Sequence, residues 1–204
     1  MSLAERYISG LKKVMTEEQI EKFEIIPPAA KEEILQLKEI YPDCPESLLE
    51  LWGLKKGTYH EKINGVYILI PVLNSDVEEG EYPYYLKSCT QILEEREKVY
   101  NKQSIEKVYG KEWIEGNSSD FDERIKINIP QNKWLNFADC INNGGTSCLF
   151  IDFDPGKNGI KGQIIRYLHD PDSYAVIADS FDEYLENIIE EEYPFSYIYE
   201  EWDD

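Results

Sequence analysis

Residues 142–165 read "NNGGTSCLFIDFDPGKNGIKGQII" and place two aspartates, Asp152 and Asp154, between glycine-rich turns. The segment "CLFIDFD" has the length and composition of a strand, "PGKNG" is typical of a turn, and "GQIIRYLHD" predicts a returning strand. The stretch therefore predicts a hairpin. Its aspartates fit three hypotheses: an acid site, a metal site, or the polar end of the hairpin.

Both enzyme hypotheses require additional catalytic or phosphate-binding residues, and the sequence lacks them. An Asp-x-Asp strand places two carboxylates on one face, where they can share Mg²⁺ or Ca²⁺. However, no Gly-rich loop ends in Lys and Ser/Thr, and His60 and His169 are the only histidines. In the structural hypothesis Asp152 pairs with Arg166, and Asp154 accepts backbone N–H groups in the turn. We favour this hypothesis, and predict no enzymatic activity, no catalytic residue, no metal and no cofactor.

The chain around the hairpin continues the sheet pattern. "KWLNFADCI" predicts a strand that leads into a turn at residues 143–145, and "YAVIA" predicts a short buried strand. Alternation assigns Leu149, Ile151 and Phe153 to the core face of their strand. "DSFDEYLENIIEE" then predicts the clearest helix of the chain, with Ser180 and Glu183 as a capping box.

Upstream of the sheet the chain is mainly helical. Residues 1–40 carry a helical pattern, and Asn64-Gly65 predicts a hairpin turn because both central residues of a type I′ turn need positive φ. Thr16 with Gln19, and Ser88 with Gln91, predict two further capping boxes. Residues 104–128 are polar, and we expect a partly ordered surface insertion.

Charge is distributed unevenly along the chain. Its 41 acidic and 21 basic residues give a net charge of −20, and residues 167–204 contain no Lys or Arg. Phosphate binding requires clustered basic residues, so nucleic acid is excluded as a partner. The acidic segment fits either a solvated end that promotes solubility or a surface for a basic partner.

The tail "YPFSYIYEEWDD" interleaves aromatic and acidic residues, and aromatic anchors within a charged rim are typical of binding hot spots. As the alternative, Phe195, Tyr197 and Tyr199 alternate and would pack as an extra edge strand. The candidate partner-binding residues are Glu190, Glu191, Glu192, Tyr197, Tyr199, Glu200, Glu201, Trp202, Asp203 and Asp204.

Length and composition indicate a globular protein. The 204 residues are 42% hydrophobic and suit a single domain over 1–204 with two additions, residues 104–128 and 193–204. No apolar run is long enough for a membrane span, and the N-terminus lacks an apolar signal region, so we expect a cytoplasmic protein. Four scattered cysteines form no CxxC pair and are expected as buried thiols.

An ordered set of motifs resembles a known family. Trp134 in a strand precedes the Gly-rich turn, a strand that ends in Asp-x-Asp-Pro, a Gly-Gln strand, and a short strand into a Ser-Phe-x-x-Tyr-Leu helix. This order resembles the SUKH superfamily, the Smi–Knr family of fungal cell-wall-synthesis regulators and bacterial immunity proteins. Residues 27–57 resemble the opening of the family, although "LKKG" stands where its second helix often ends in Asn-Gly.

The resemblance implies an α+β fold in which helices pack around one twisted, mostly antiparallel sheet. It also implies a non-enzymatic module that binds proteins. Our leading hypothesis is an immunity protein that neutralises a basic toxin domain of the nuclease type. A regulatory scaffold is the second hypothesis, and a metal-dependent enzyme that uses Asp152 and Asp154 is the third. The sequence leaves the oligomeric state open.

Overall fold

A computed structural model describes residues 1–77, 83–140, 146–169, 171–196 and 198–201, with the backbone alone at Glu200 and Glu201. The α-helices of these residues are α1 Leu3–Val14, α2 Glu17–Glu24, α3 Lys31–Ile40, α4 Glu46–Leu54, α5 Cys89–Glu95, α6 Ile105–Tyr109, α7 Lys111–Gly116, α8 Phe181–Glu190 and α9 Ile198–Glu201. The strands are β1 Glu61–Ile63, β2 Val66–Ile68, β3 Tyr85–Leu86, β4 Leu135–Cys140, β5 Ser147–Asp152, β6 Gln163–Leu168 and β7 Ser173–Ala178.

The predicted helix starts occur where a short polar side chain accepts a backbone N–H. Ser88 Oγ accepts from the N–H of Gln91, whose side chain accepts from the N–H of Ser88, so this capping box is complete. Ser180 accepts from Glu183 N–H in the same way, but the Glu183 carboxylate binds the N–H of Asp179 instead. Each cap satisfies N–H groups that the helix itself leaves unpaired.

The two predicted hairpins are present. Asn64 and Gly65 have φ values of 51° and 85° and join β1 to β2, as a type I′ turn requires. The second hairpin pairs β5 with β6, with Asp152 opposite Gln163. The turn predicted at Asn143, Gly144 and Gly145 lies outside the described residues.

The central sheet has five strands in the order β3-β4-β5-β6-β7, and every neighbouring pair is antiparallel. One face packs against α1, α4 and α8 in a large apolar core that includes Trp52, Leu149 and Ile151. The predicted α+β fold, with helices around a mostly antiparallel sheet, is confirmed.

The other face of the sheet is covered by residues 104–128. Ile105, Ile114, Phe121 and Ile125 are buried there in a second core with Trp134. The prediction of a surface insertion is therefore wrong for these four side chains. Although the segment is polar overall, its apolar side chains pack against the sheet. Burial of each of these four side chains stabilises the fold by about 1.5–3 kcal/mol.

Within the described ranges, no helix has the length and apolarity needed to cross a membrane. The cysteines Cys44, Cys89 and Cys140 are buried, and Cys148 is partly buried. Burial raises the pKa of the Cys44 and Cys89 thiols to about 12, so both stay protonated at neutral pH.

Candidate functional site

The two aspartates that open the question of enzymatic activity are held by the hairpin itself. Asp152 is fully buried, and its carboxylate accepts from the N–H of Asp154 at 3.0 Å and from Nε2 of Gln163 at 3.0 Å. Burial raises the pKa of Asp152, against the effect of these two hydrogen bonds. Asp154 is exposed and pairs with Lys126 at 2.9 Å.

The predicted pair between Asp152 and Arg166 is wrong. Arg166 binds Asp76 through Nε at 2.7 Å and Ser173 through Nη1 at 2.9 Å. It lies opposite Leu149 in the sheet, three positions along β5 from Asp152. The buried partner of Asp152 is instead the amide of Gln163 in the predicted Gly-Gln strand.

The arrangement around the aspartates is that of a folded turn. Gly156 N–H donates to the carbonyl of Arg124 at 2.8 Å, and a Cβ added at Gly159 would lie 2.5 Å from the same carbonyl. The backbone of residues 122–125 therefore passes directly against this hairpin. Among the described residues, no group of three or more His, Cys, Asp or Glu is placed to hold a metal ion.

The aromatic residues of the C-terminal segment lie in the core. Tyr193, Phe195 and Tyr199 are each less than 5% exposed, and the hydroxyls of Tyr193 and Tyr199 donate to the carbonyls of Tyr7 and Pro71. Tyr199 is therefore not available as a surface anchor. The predicted edge strand is also wrong, because residues 198–201 form helix α9.

The acidic residues at the end of α8 remain on the surface. Glu190, Glu191 and Glu192 are exposed, and none makes an ion pair with the described part of the chain. Glu192 and Tyr193 have φ values of 56° and 59°, and this left-handed turn sends the chain back toward α1. We call these three residues the acidic corner.

The remaining candidate residues are only partly described. Glu200 and Glu201 lie in α9. Tyr197, Trp202, Asp203 and Asp204 lie outside the described residues, so their predicted roles stay predictions.

A cleft of about 410 Å³ opens on the second face of the sheet, beside residues 99–113. Its floor, which the sheet forms, includes Asn136, Asp139 and Tyr167, and its wall includes Tyr100 and Tyr109. We call it the tyrosine cleft. Its size is within the range of ordinary ligand-binding sites.

A β-bulge shapes the floor of the tyrosine cleft. The register between β4 and β5 shifts between Asn136 and Ala138, so Asn136 and Asp139 both line the cleft although they are three positions apart. Nδ2 of Asn136 donates to Asp139 at 3.0 Å. Regular alternation would have placed these two side chains on opposite faces.

Behind this floor lies a buried ion network. The ammonium of Lys87 is fully buried and binds Asp139 at 2.8 Å and Glu95. Burial lowers the pKa of Lys87, but the two carboxylates outweigh burial, and the pKa is raised overall. The lysine is therefore charged at neutral pH and holds both carboxylates in place.

One carboxylate links the floor of the cleft to its wall. Tyr109 and Tyr167 both donate their hydroxyls to Asp172, and Tyr167 stacks on Tyr174 with ring centroids 4.8 Å apart. Burial and the bond to Asp172 raise the pKa of Tyr109 to about 12. The tyrosines are therefore neutral hydrogen-bonding groups at physiological pH.

The sequence did not predict the tyrosine cleft, because its residues come from segments that lie far apart in the chain. One pattern in the sequence pointed toward it: the nominally polar segment after α5 carries Tyr100, Tyr109 and Trp113. Aromatic residues in a polar segment require either a core or a partner, and Tyr109 packs against the second core.

The architecture is that of an α+β domain with an antiparallel sheet, and its described surface presents an acidic corner and a tyrosine cleft. Comparison with protein families gives a match to the SMI1/KNR4 family (SUKH-1) over residues 28–187. The chain belongs to this family. The match runs through residues 104–128, which cover the second sheet face. No curated protein matches the chain.

Proposed function

We propose that this protein is a non-enzymatic immunity protein of the cytoplasm that binds and neutralises a basic toxin domain of the nuclease type. The observation that carries the proposal is the acidic corner, three exposed glutamates without ion-pair partners in the described chain. Membership in the SMI1/KNR4 family supports a role in protein binding. The net charge of −20 supports a basic partner.

The position of the acidic corner makes it costly to the free protein. Glu190 ends α8, and Glu191 and Glu192 follow directly, where the helix dipole presents partial negative charge. Negative side chains at this end are destabilising, and like charges repel one another. A basic partner removes both penalties on binding.

The acidic corner also stands on a rigid base. Tyr193 N–H donates to the carbonyl of Ile188 at 2.9 Å, and the Tyr193 ring packs 5.4 Å from that of Tyr7. The three carboxylates are thus presented by a fixed turn, which reduces the ordering cost on association.

The test is association with the C-terminal domain of a large secreted protein encoded beside this one. We expect a stoichiometric complex whose association rate falls steeply between about 50 mM and about 500 mM NaCl, because salt screens the steering field. Stopped-flow fluorescence measures the rate, and size-exclusion chromatography gives the stoichiometry. Association rates independent of salt would contradict the electrostatic mechanism.

A matched pair of variants localises the effect. Glu190→Gln/Glu191→Gln/Glu192→Gln should lower the association rate about tenfold at low salt, in the range that steering provides. Glu21→Gln/Glu39→Gln/Glu50→Gln removes the same charge from exposed positions elsewhere, and should lower it much less.

If both triple variants lower the rate equally, the net charge is responsible and the acidic corner is not a contact surface. If no complex forms at either salt concentration, the immunity role fails. The regulatory-scaffold function, with several weak partners, then becomes the better candidate.

A further inference from the structure

We infer that the tyrosine cleft is the site that receives an arginine side chain from the protein partner. The identity of that partner rests on the proposed function. The acidic corner accounts for the encounter, whereas the cleft would supply the buried contact that slows dissociation.

Exposed apolar residues are concentrated in the segment beside this cleft. The described residues include eleven large hydrophobic side chains that are exposed, and four of them fall within residues 99–113: Val99, Tyr100, Val108 and Trp113. Tyr100 is 56% exposed and Val108 is 49% exposed, and both line the cleft. Exposed apolar surface around a polar cavity is typical of a protein-binding site.

The rings of the cleft favour a cation. Tyr100, Tyr109 and Tyr167 line it, whereas the ring of Tyr174, which also lines it, already stacks on Tyr167 and Phe121. The faces of such rings attract ammonium and guanidinium groups. A cation already uses one of them, because Lys98 Nζ lies 6.0 Å from the centroid of Tyr100. Lys98 is half exposed, and its one ion pair within the described ranges is with Glu95 at 3.4 Å, so it can move aside.

The free hydrogen-bonding capacity of the cleft favours a donor. The hydroxyl of Tyr167 gives its proton to Asp172 and lies 3.3 Å from Nδ1 of His169, which leaves one oxygen lone pair for an incoming donor. A bound group that supplies an N–H donor to this oxygen is therefore favoured.

Guanidinium meets both requirements. It is planar, stacks on aromatic faces, and carries five N–H donors and no acceptor. An anion is disfavoured, because Asp139 and Glu95 line the cleft and the chain has a net charge of −20. An ammonium group is more strongly hydrated and cannot stack, so lysine should bind more weakly than arginine.

The first experiment uses small probes and does not require the toxin. The ¹⁵N-labelled full chain is titrated with N-acetyl-arginine methylamide, and with the corresponding lysine and citrulline compounds. We expect saturable shifts of cleft amides with arginine, at least fivefold weaker binding of lysine, and weaker binding still of uncharged citrulline. Equal binding of all three, or shifts outside the cleft, would overturn the inference.

Two variants control for surface effects. Tyr100→Ala removes an exposed ring from the cleft, and we expect at least a fivefold loss of arginine affinity. Leu35→Ala removes a side chain of similar exposure from α3, and should leave the affinity unchanged. Since both residues are exposed, both variants should fold. An equal response of the two variants would contradict the inference.

The same variants separate this inference from the proposed function. With the toxin domain, Tyr100→Ala should raise the dissociation rate about tenfold and leave the salt dependence of association unchanged. If arginine binds the cleft but no toxin complex forms, the proposed function fails and the arginine site stands. If the complex forms and Tyr100→Ala dissociates at the wild-type rate, the arginine site in the interface is wrong.

Discussion

Lys87 keeps its charge in the protein interior because two carboxylates surround it. Its ammonium contacts Asp139 and Glu95, and its backbone carbonyl accepts from the indole N–H of Trp52 at 2.8 Å. Lys87 therefore connects the buried ion network to the floor of the tyrosine cleft and to the main core. A change here should therefore affect both stability and the shape of the cleft.

Replacing Lys87 with Met should lower the free energy of unfolding by about 3–5 kcal/mol, because Asp139 is left buried without its cation. Urea unfolding followed by tryptophan fluorescence measures the loss. Lys98→Met is the control, and should change the free energy by less than about 1 kcal/mol because Lys98 is half exposed. If Lys87→Met/Asp139→Asn is no more stable than Lys87→Met, the unpaired carboxylate is not the cause.

Asp152 should make stability depend on pH in the acidic range. Its pKa is raised in the folded state above the ordinary 3.8. Between 3.8 and the raised pKa, the carboxyl of the native state is therefore protonated to a greater extent than that of the unfolded chain. Its contribution to stability therefore declines as pH rises from 3.8 through the raised pKa, and is constant above it.

Asp152→Asn removes this titration. The difference in free energy of unfolding, variant minus wild type, should increase with pH from about 4 to about 7. Urea unfolding measures this difference. The ionic strength is held fixed so that charges are screened to the same extent in both proteins. A difference that is constant or falls across this range would show that the buried carboxyl has no raised pKa.

At the scale of elements, helix α1 and the C-terminal segment are fitted to each other at a glycine. A Cβ added at Gly10 would lie 2.7 Å from Cζ of Tyr193. That ring cannot move away easily, because it is buried and its hydroxyl donates to the carbonyl of Tyr7 at 2.7 Å. The base of the acidic corner therefore depends on the missing side chain at Gly10.

Gly10→Ala should lower the free energy of unfolding by about 1–3 kcal/mol through overpacking, and should increase hydrogen exchange in residues 193–196. Gly53→Ala is the matched control in helix α4, where a Cβ meets nothing within 4 Å. It should stabilise the protein by about 0.5–1 kcal/mol, since glycine is a poor helix former. If both substitutions stabilise, the close contact with Tyr193 does not constrain α1.

At the scale of the whole molecule, the charge of −20 opposes the compact state. The described ion pairs lie mainly on the surface, and residues 167–204 contribute thirteen acids without a single Lys or Arg. Self-repulsion is therefore concentrated in the C-terminal part of the sequence, and salt should relieve it.

Raising NaCl from about 50 mM to about 500 mM should raise the melting temperature by several degrees, because salt screens repulsion more than it weakens exposed ion pairs. Differential scanning fluorimetry measures the shift. The triple glutamine variant of the acidic corner should melt higher at low salt and gain less from added salt. If this variant melts lower than wild type at low salt, the corner is not repulsive.

The sequence by itself determined several elements of this fold. Alternation in β5 and the helical pattern of α8 depend on local periodicity, and the Asn64-Gly65 turn depends on the φ values of two residues. Each of these elements can therefore be predicted without knowledge of tertiary contacts. The ordered motifs of the second half identified the family for the same reason. The structural role of Asp152 was also predicted, but its partner was not.

Only the tertiary structure decided which side chains meet. The bulge in β4 brings Asn136 and Asp139 together, and the insertion buries Ile105 against the sheet, where the sequence pattern indicated a polar surface. Tyr199 is in the core because α9 folds back against it. These outcomes depend on contacts between residues far apart in the chain, which local periodicity and composition do not encode.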